Sequence, residues 1–216
     1  FKTALTRADQ FINRQRTHLG SHEMVGVFRI FGRNAGFTAL GAGMSISDIR
    51  CLIPEQRFDL EALARLVRDD HARNPQHYAL VLCSEGAIWE GGALEDVGAA
   101  DAYGHRKKEN VGEALARRLG TSTGLPTRFQ DITYDLRSGD PDPFDKIIAT
   151  AFGTLAVDLI ASGTTGRMVC IQDGRYTHAP LPAAALGART VDVAAYYDIE
   201  RFRPRFSGLF DRSILF

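Results

Sequence analysis

Cysteine is scarce: Cys51, Cys83 and Cys170 are the only three in 216 residues. They stand far apart, each in or beside an apolar run, so neither a disulfide framework nor a metal-ligand spacing is written in them. They read as reduced core thiols of a cytosolic protein. An excess of one charge is also missing. Lys+Arg and Asp+Glu both total 26, which argues against bulk electrostatic binding to nucleic acid and leaves room for a local basic pocket. No apolar run is long enough to span a membrane. No charged segment followed by an apolar stretch opens the chain, and there are no solenoid-length repeats. With 44% hydrophobic and 24% charged residues, the chain has an ordinary globular composition and can bury a core without staples.

What is there is an alternation of helical and strand patterns. Residues 1–16 have helical periodicity, with Ala4, Leu5, Ala8, Phe11 and Ile12 on one face. This helix begins at Phe1 with no cap, so the chain is expected to be part of a longer protein. Residues 17–23 read as a polar connector. Residues 25–31 are apolar apart from Arg29 and predict a buried strand that turns at Gly32-Arg33-Asn34. The small residues of 35–44 predict a helix packed close to a sheet. Residues 49–53 predict a short strand stopped at Pro54. Asp59 is placed to cap an amphipathic helix reaching about His71.

Residues 78–83 predict another buried strand, and 86–107 a long glycine-bearing loop of the functional or mobile kind. A helix at 110–119 and a strand at 128–133 follow. The helix predicted over 142–161 would bury Phe144, Ile147, Ile148, Ala151, Leu155 and Leu159. Strands at 169–172 and 176–179 are joined by Asp173-Gly174, a hairpin turn dipeptide. A short helix is expected near 191–197. The fold class is therefore α/β, a mostly parallel sheet with helices on both faces.

Three strand ends carry groups suited to chemistry: Arg33, then Glu85, then Tyr134 and Arg137. In a parallel sheet the carboxyl ends share one edge, where ligands bind. The segment with Tyr134 and Arg137 is a strand-to-helix turn, where N–H groups and a helix dipole point outward and an arginine can grip a phosphate bidentately. On that turn alone, a solvated loop with a surface arginine is the more common reading. Two arginines and a glutamate together suit a sugar phosphate. His22 and His105 lack a carboxylate partner at set spacing and read as loop histidines. Asp140 and Asp142 read as capping residues beside Pro141. Trp89 is open between covering a site and packing, and Arg106-Lys107-Lys108 reads as a solvated charge run.

The ordered string of motifs resembles the C-terminal, fructose 6-phosphate-binding part of phosphofructokinases. The matching pieces are Phe1-Lys2-Thr3-Ala4-Leu5, Ser21-His22-Glu23, Phe31-Gly32-Arg33, Ile53-Pro54-Glu55 and Ser84-Glu85-Gly86. The match continues through Ala102-Tyr103-Gly104-His105, Tyr134-Asp135-Leu136-Arg137 and Thr165-Gly166-Arg167-Met168. The wording is similar to a bacterial branch with many pyrophosphate-dependent members.

The resemblance implies a Rossmann-like layered fold, one part of a larger two-domain chain, spanning 1–216 with 180–216 as a C-terminal extension. It implies sugar-phosphate contacts from Phe31, Gly32 and Arg33, a hydroxyl contact from Glu85, and a 6-phosphate clamp from Tyr134, Asp135, Leu136 and Arg137. Arg128 would reach the neighbouring subunit's site. Met24 stands where many members carry an arginine, a departure that bears on a separate cross-subunit phosphate contact. The catalytic base, the donor-binding loop and the main magnesium ligands are expected upstream of Phe1, leaving no catalytic or metal residue in this chain. The implied activity is phosphorylation of the 1-hydroxyl of fructose 6-phosphate in glycolysis. Pyrophosphate is favoured over ATP as donor, Mg2+ is the cofactor, and the protein is a cytoplasmic homodimer or homotetramer. The alternative is a non-catalytic sugar-phosphate-binding or regulatory subunit.

Overall fold

β-Branched and leucine-rich runs with no polar alternation build the centre of the molecule, as strands buried on both faces require. The computed structural model describes residues 1–92, 96–97, 107–182, 187 and 189–207. Six strands occur in the first part of the chain: β1 (Val25–Ile30), β2 (Ile49–Leu52), β3 (Ala79–Ser84), β4 (Asp96–Val97), β5 (Lys107–Lys108) and β6 (Thr127–Asp131). Four of them form a parallel sheet in the order β2-β3-β1-β6. β4 and β5 pair antiparallel on their own, so the stretch expected as one long loop contains a small ladder. Its motif residues 102–106, with His105, lie outside the described residues.

Four helices accompany these strands: α1 (Lys2–Ser21), α2 (Phe37–Ser45), α3 (Leu60–Arg73) and α4 (Val111–Thr123). α1 and α4 cover opposite faces of the sheet. Phe11 of α1 packs edge-on against Phe28 with ring centroids 6.5 Å apart. A Cβ on Gly26 would come within 2.5 Å of the Leu19 side chain. A Cβ on Gly112 of α4 would lie 3.0 Å from Arg29 Cβ. Successive strand residues point to opposite faces, so Phe28 faces α1 and Arg29 faces α4.

α1 runs on to Ser21, into the expected connector at 17–23. Its last turn is polar in composition but anchored by Leu19, which is buried. Asp59 caps α3 as expected, accepting the N–H groups of Glu61 and Ala62. Trp89 is buried against Phe58, with Arg118 over its ring, which resolves its role in favour of packing.

The chain divides into two compact units, one of Ala4–Ser138 with Thr190–Phe216, the other of Phe1–Thr3 with Gly139–Arg189. Within the stretch expected as a C-terminal extension, the described residues up to Arg189 fall in one unit and those from Thr190 in the other. Three further short elements, α6 (Val193–Tyr196), β9 (Tyr197–Asp198) and β10 (Arg203–Pro204), belong to the sheet unit. They place Val191, Tyr197 and Phe202 in its core. The Cys51 N–H donates to the Phe202 carbonyl at 2.7 Å, and the Tyr197 hydroxyl donates to the Cys51 carbonyl at 2.6 Å. Arg50, nearly buried, grips Asp70 with two bonds of 2.6 Å and donates a third to the Arg201 carbonyl.

The other unit holds α5 (Pro143–Ala161) and the hairpin of β7 (Arg167–Gln172) and β8 (Arg175–Pro180). Asp142 caps α5, and Asp173 and Gly174 both have positive φ, as the expected two-residue turn demands. The expected burial of α5 is corrected: none of its residues is buried. Phe144 and Ile147 are 59% and 60% exposed, while Ile148, Ala151, Leu155 and Leu159 are half-buried. The helix is apolar around most of its circumference, so periodicity does not single out one face.

Candidate active site

The carboxyl ends of β1, β3 and β6 converge on one edge, and two glycines make the convergence possible. After β1, Gly32 has φ +140, and a Cβ there would lie 2.8 Å from the Ala35 carbonyl. After β3, a Cβ on residue 86 would sit 1.9 Å from the Arg33 carbonyl, so only glycine fits. Backbone bonds lace the two turns together: Glu85 N–H to the Ile30 carbonyl at 2.9 Å, and Gly86 N–H to the Gly32 carbonyl at 3.0 Å. Glu55 accepts from the N–H groups of Gly36 and Val191, so the Ile53-Pro54-Glu55 segment buttresses this edge from behind.

A cleft of about 660 Å³ opens there, and Arg33, Glu85 and Tyr134 all line it. The N-terminus of α4 enters it through Asn110 and Val111, with the Asn110 side chain accepting the Gly112 N–H at 3.0 Å. The positive end of that helix dipole therefore faces the cavity. The remaining expected residues are arranged differently. Arg137 is exposed outside this lining, its guanidinium 4.9 Å over the Phe31 ring. Asp135 is exposed at the start of a 3-10 turn (Asp135–Arg137). The Leu136 side chain is buried in the core, and its N–H is bonded to the Ile132 carbonyl, so the side chain anchors the turn. Arg128 is exposed on the α1 face of β6, in register with Gly26 and below the cleft edge.

Two residues that the motifs did not single out lie at the floor of the cleft, Arg29 and Asp131. Arg29 Nη1 donates to Asp131 Oδ2 at 2.6 Å, and its Nη2 lies 3.6 Å from Glu85 Oε1. Burial works against ionisation of Asp131. The hydroxyl and N–H of Thr133 and the Arg29 guanidinium outweigh it and hold the pKa below the usual carboxylate range. A charged residue interrupting an apolar strand was the available signal for this pair. Glu109, nearly buried, is paired with Arg117 at 2.6 Å. Among the described residues no group of three or more His, Cys, Asp or Glu side chains is arranged to hold a metal ion, and Arg29 already occupies the space between Glu85 and Asp131. These residues do not fit a magnesium site.

The family model for phosphofructokinase matches residues 1–160. The chain belongs to the phosphofructokinase family. Its relatives include the pyrophosphate–fructose 6-phosphate 1-phosphotransferase of Streptomyces coelicolor, 36% identical over 205 residues, 94% of this chain and 59% of that protein. The ATP-dependent 6-phosphofructokinase of Mycobacterium tuberculosis is 32% identical over 200 residues, 93% of this chain and 58% of that protein. The crystal structure of a pyrophosphate-dependent phosphofructokinase from Marinobacter aquaeolei shares the fold, with a TM-score of 0.75 at 20% identity over 94% of this chain and 51% of that one. This phosphofructokinase chain thus spans a little under three fifths of the length of the curated relatives it matches. Among the described residues no helix is long and apolar enough to cross a membrane.

Proposed function

We propose that this chain carries the acceptor half of a 6-phosphofructokinase site and holds fructose 6-phosphate in the cleft at the carboxyl edge of the sheet. The observation that carries this reading is the meeting of Arg33, Glu85 and Tyr134 in one cavity with the α4 N-terminus. The arginine and the helix end favour a phosphate, and the carboxylate accepts hydrogen bonds from sugar hydroxyls. Tyr134, 80% exposed, lines the cavity, and Arg137 on its Phe31 platform stands beside it. Their closure on the 6-phosphate is part of the proposal, as is the reach of Arg128 into a neighbouring subunit of a homodimer or homotetramer.

In the whole protein the 1-hydroxyl oxygen of the sugar would attack the terminal phosphorus of the donor. The bond from that phosphorus to its bridging oxygen would break, and a base outside this chain's cleft would take the hydroxyl proton. Glu85 and the arginines would contribute by orientation and charge neutralisation. Pyrophosphate is the proposed donor ahead of ATP, supported by the pyrophosphate-dependent name of the S. coelicolor relative. Magnesium would be held by residues other than those of the cleft, and the protein is proposed to work in glycolysis in the cytoplasm.

The test is kinetic. In the intact protein Arg137→Ala and Arg33→Ala are each expected to raise the KM for fructose 6-phosphate by about tenfold or more. An unchanged KM in both would sink the assignment. Turnover with pyrophosphate but not ATP supports the donor proposal. Binding of the sugar phosphate with no turnover on either donor selects the regulatory-subunit alternative.

A further inference from the structure

We infer that Arg29 is a positioning residue of this site, holding Glu85 and Asp131 in their working geometry and reducing their negative charge beneath the ligand. The inference rests on the acceptor reading of the cleft and deepens it. Arg29 is the charged member of an otherwise apolar strand, and its side chain is 19% exposed. A buried cation persists only when paired. Its Nη1 donates to Asp131 at 2.6 Å, its Nη2 approaches Glu85 at 3.6 Å, and its buried Nε has no partner among the described residues. All the strength of the side chain is therefore directed at two cleft carboxylates.

The parallel register explains why this residue and no neighbour does so. Arg29 lies beside Asp131 on one flank and Cys83 on the other, two positions before Glu85. Asp131 in turn accepts from the Thr133 N–H and hydroxyl and from Asn110 Nδ2 at 3.3 Å. Thr133 precedes Tyr134, and Asn110 caps α4. One guanidinium thus connects the glutamate, the turn carrying the tyrosine, and the helix end that faces the ligand.

The electrostatic consequence follows. A phosphate ester brings up to two negative charges into a cleft that already holds Glu85 and Asp131. With Arg29 present one of these two negative charges is offset, chiefly that of Asp131 at 2.6 Å, and the other is weakened. Without it they repel each other and the ligand. A lysine would restore the charge but not the fork that serves two carboxylates at once.

The experiment measures KM for fructose 6-phosphate, KM for the donor and kcat in the intact protein, with the Kd of fructose 6-phosphate from calorimetry and a thermal melt for each variant. Arg29→Gln is expected to raise the sugar-phosphate KM and Kd by about tenfold, with kcat within about threefold and donor KM within about twofold of wild type. Adding Asp131→Asn should recover about threefold of that loss, because it removes a carboxylate the arginine had been cancelling. Arg29→Lys should fall between wild type and Arg29→Gln. If Arg29→Gln does not fold, Arg29→Lys decides the matter through an isolated rise in sugar-phosphate KM. Equal losses in kcat and both KM values, or no change in the sugar-phosphate constants of folded variants, would overturn the role of Arg29 alone. A wild-type protein that neither binds nor turns over fructose 6-phosphate would overturn the acceptor reading and this role with it.

Discussion

The two units of this chain are built from equally apolar segments and end in opposite states of burial. β1 and β3 have Val27, Phe28, Leu80 and Leu82 wholly buried, because helices cover the sheet on both sides. α5 is about as apolar, yet none of its residues is buried, and Ile160 is 75% exposed. Apolar content fixes how much a segment gains from being covered. What covers it is a matter of the elements around it. In the sheet unit α1, α4 and the 190–207 segment supply that cover within the chain. In the other unit a single hairpin supplies part of it.

The largest contrast should appear in thiol chemistry. Burial pushes the Cys83 thiol up to about 12, against the pull of Arg29. Burial first, then the neighbouring Cys83 and Glu55, also raises that of Cys51. Cys170, in β7, is half-buried. Native-state labelling at pH 8 should modify Cys170 on the order of a thousandfold faster than the other two, whose reaction waits for the sheet to open. Comparable rates, read by mass spectrometry, would break the comparison.

Stability should follow the same division. In the 216-residue chain, Phe28→Ala is expected to cost about 3–5 kcal/mol in denaturant unfolding. Ile147→Ala, at a site 60% exposed, should cost less than about 0.5 kcal/mol. A cost at Ile147 close to that at Phe28 would mean that the outer face of α5 is covered in solution.

A smaller effect concerns Asp131. Its pKa is depressed in the folded state, so the stability it contributes is complete above the unfolded carboxylate pKa and is lost as pH falls through the folded value. The difference in Tm between wild type and Asp131→Asn should therefore be constant from pH 7 to about 5 and narrow below about pH 4. A gap that widens on acidification would contradict the pairing with Arg29 and Thr133.

Segments whose structure is decided locally were legible in the sequence: the apolar run of β1, the Asp59 and Asp142 caps, and the Asp173-Gly174 turn. The three strand ends that meet in the cleft were legible too, because a parallel sheet gathers carboxyl ends on one edge. The last turn of α1 was hidden, since Leu19 is one apolar residue among polar ones and gains its meaning from Gly26 across the packing interface. The Arg29–Asp131 pair was hidden for a similar reason. It depends on which strands become neighbours and in what register, and residues 102 positions apart meet only once that order is set. The burial of α5 was misjudged because its pattern has no polar face to exclude.

The 190–207 segment has a consequence for how the molecule behaves in company. β2 is the outermost strand on its side of the sheet, and outermost strands invite foreign chains to add on. Here the Cys51 N–H and carbonyl are already taken by Phe202 and Tyr197, and Arg50 pins the segment down through the Arg201 carbonyl. The segment thereby covers the outer edge of β2 at Cys51. Removing residues 190–207 is expected to open the β2 edge and increase aggregation, read by light scattering.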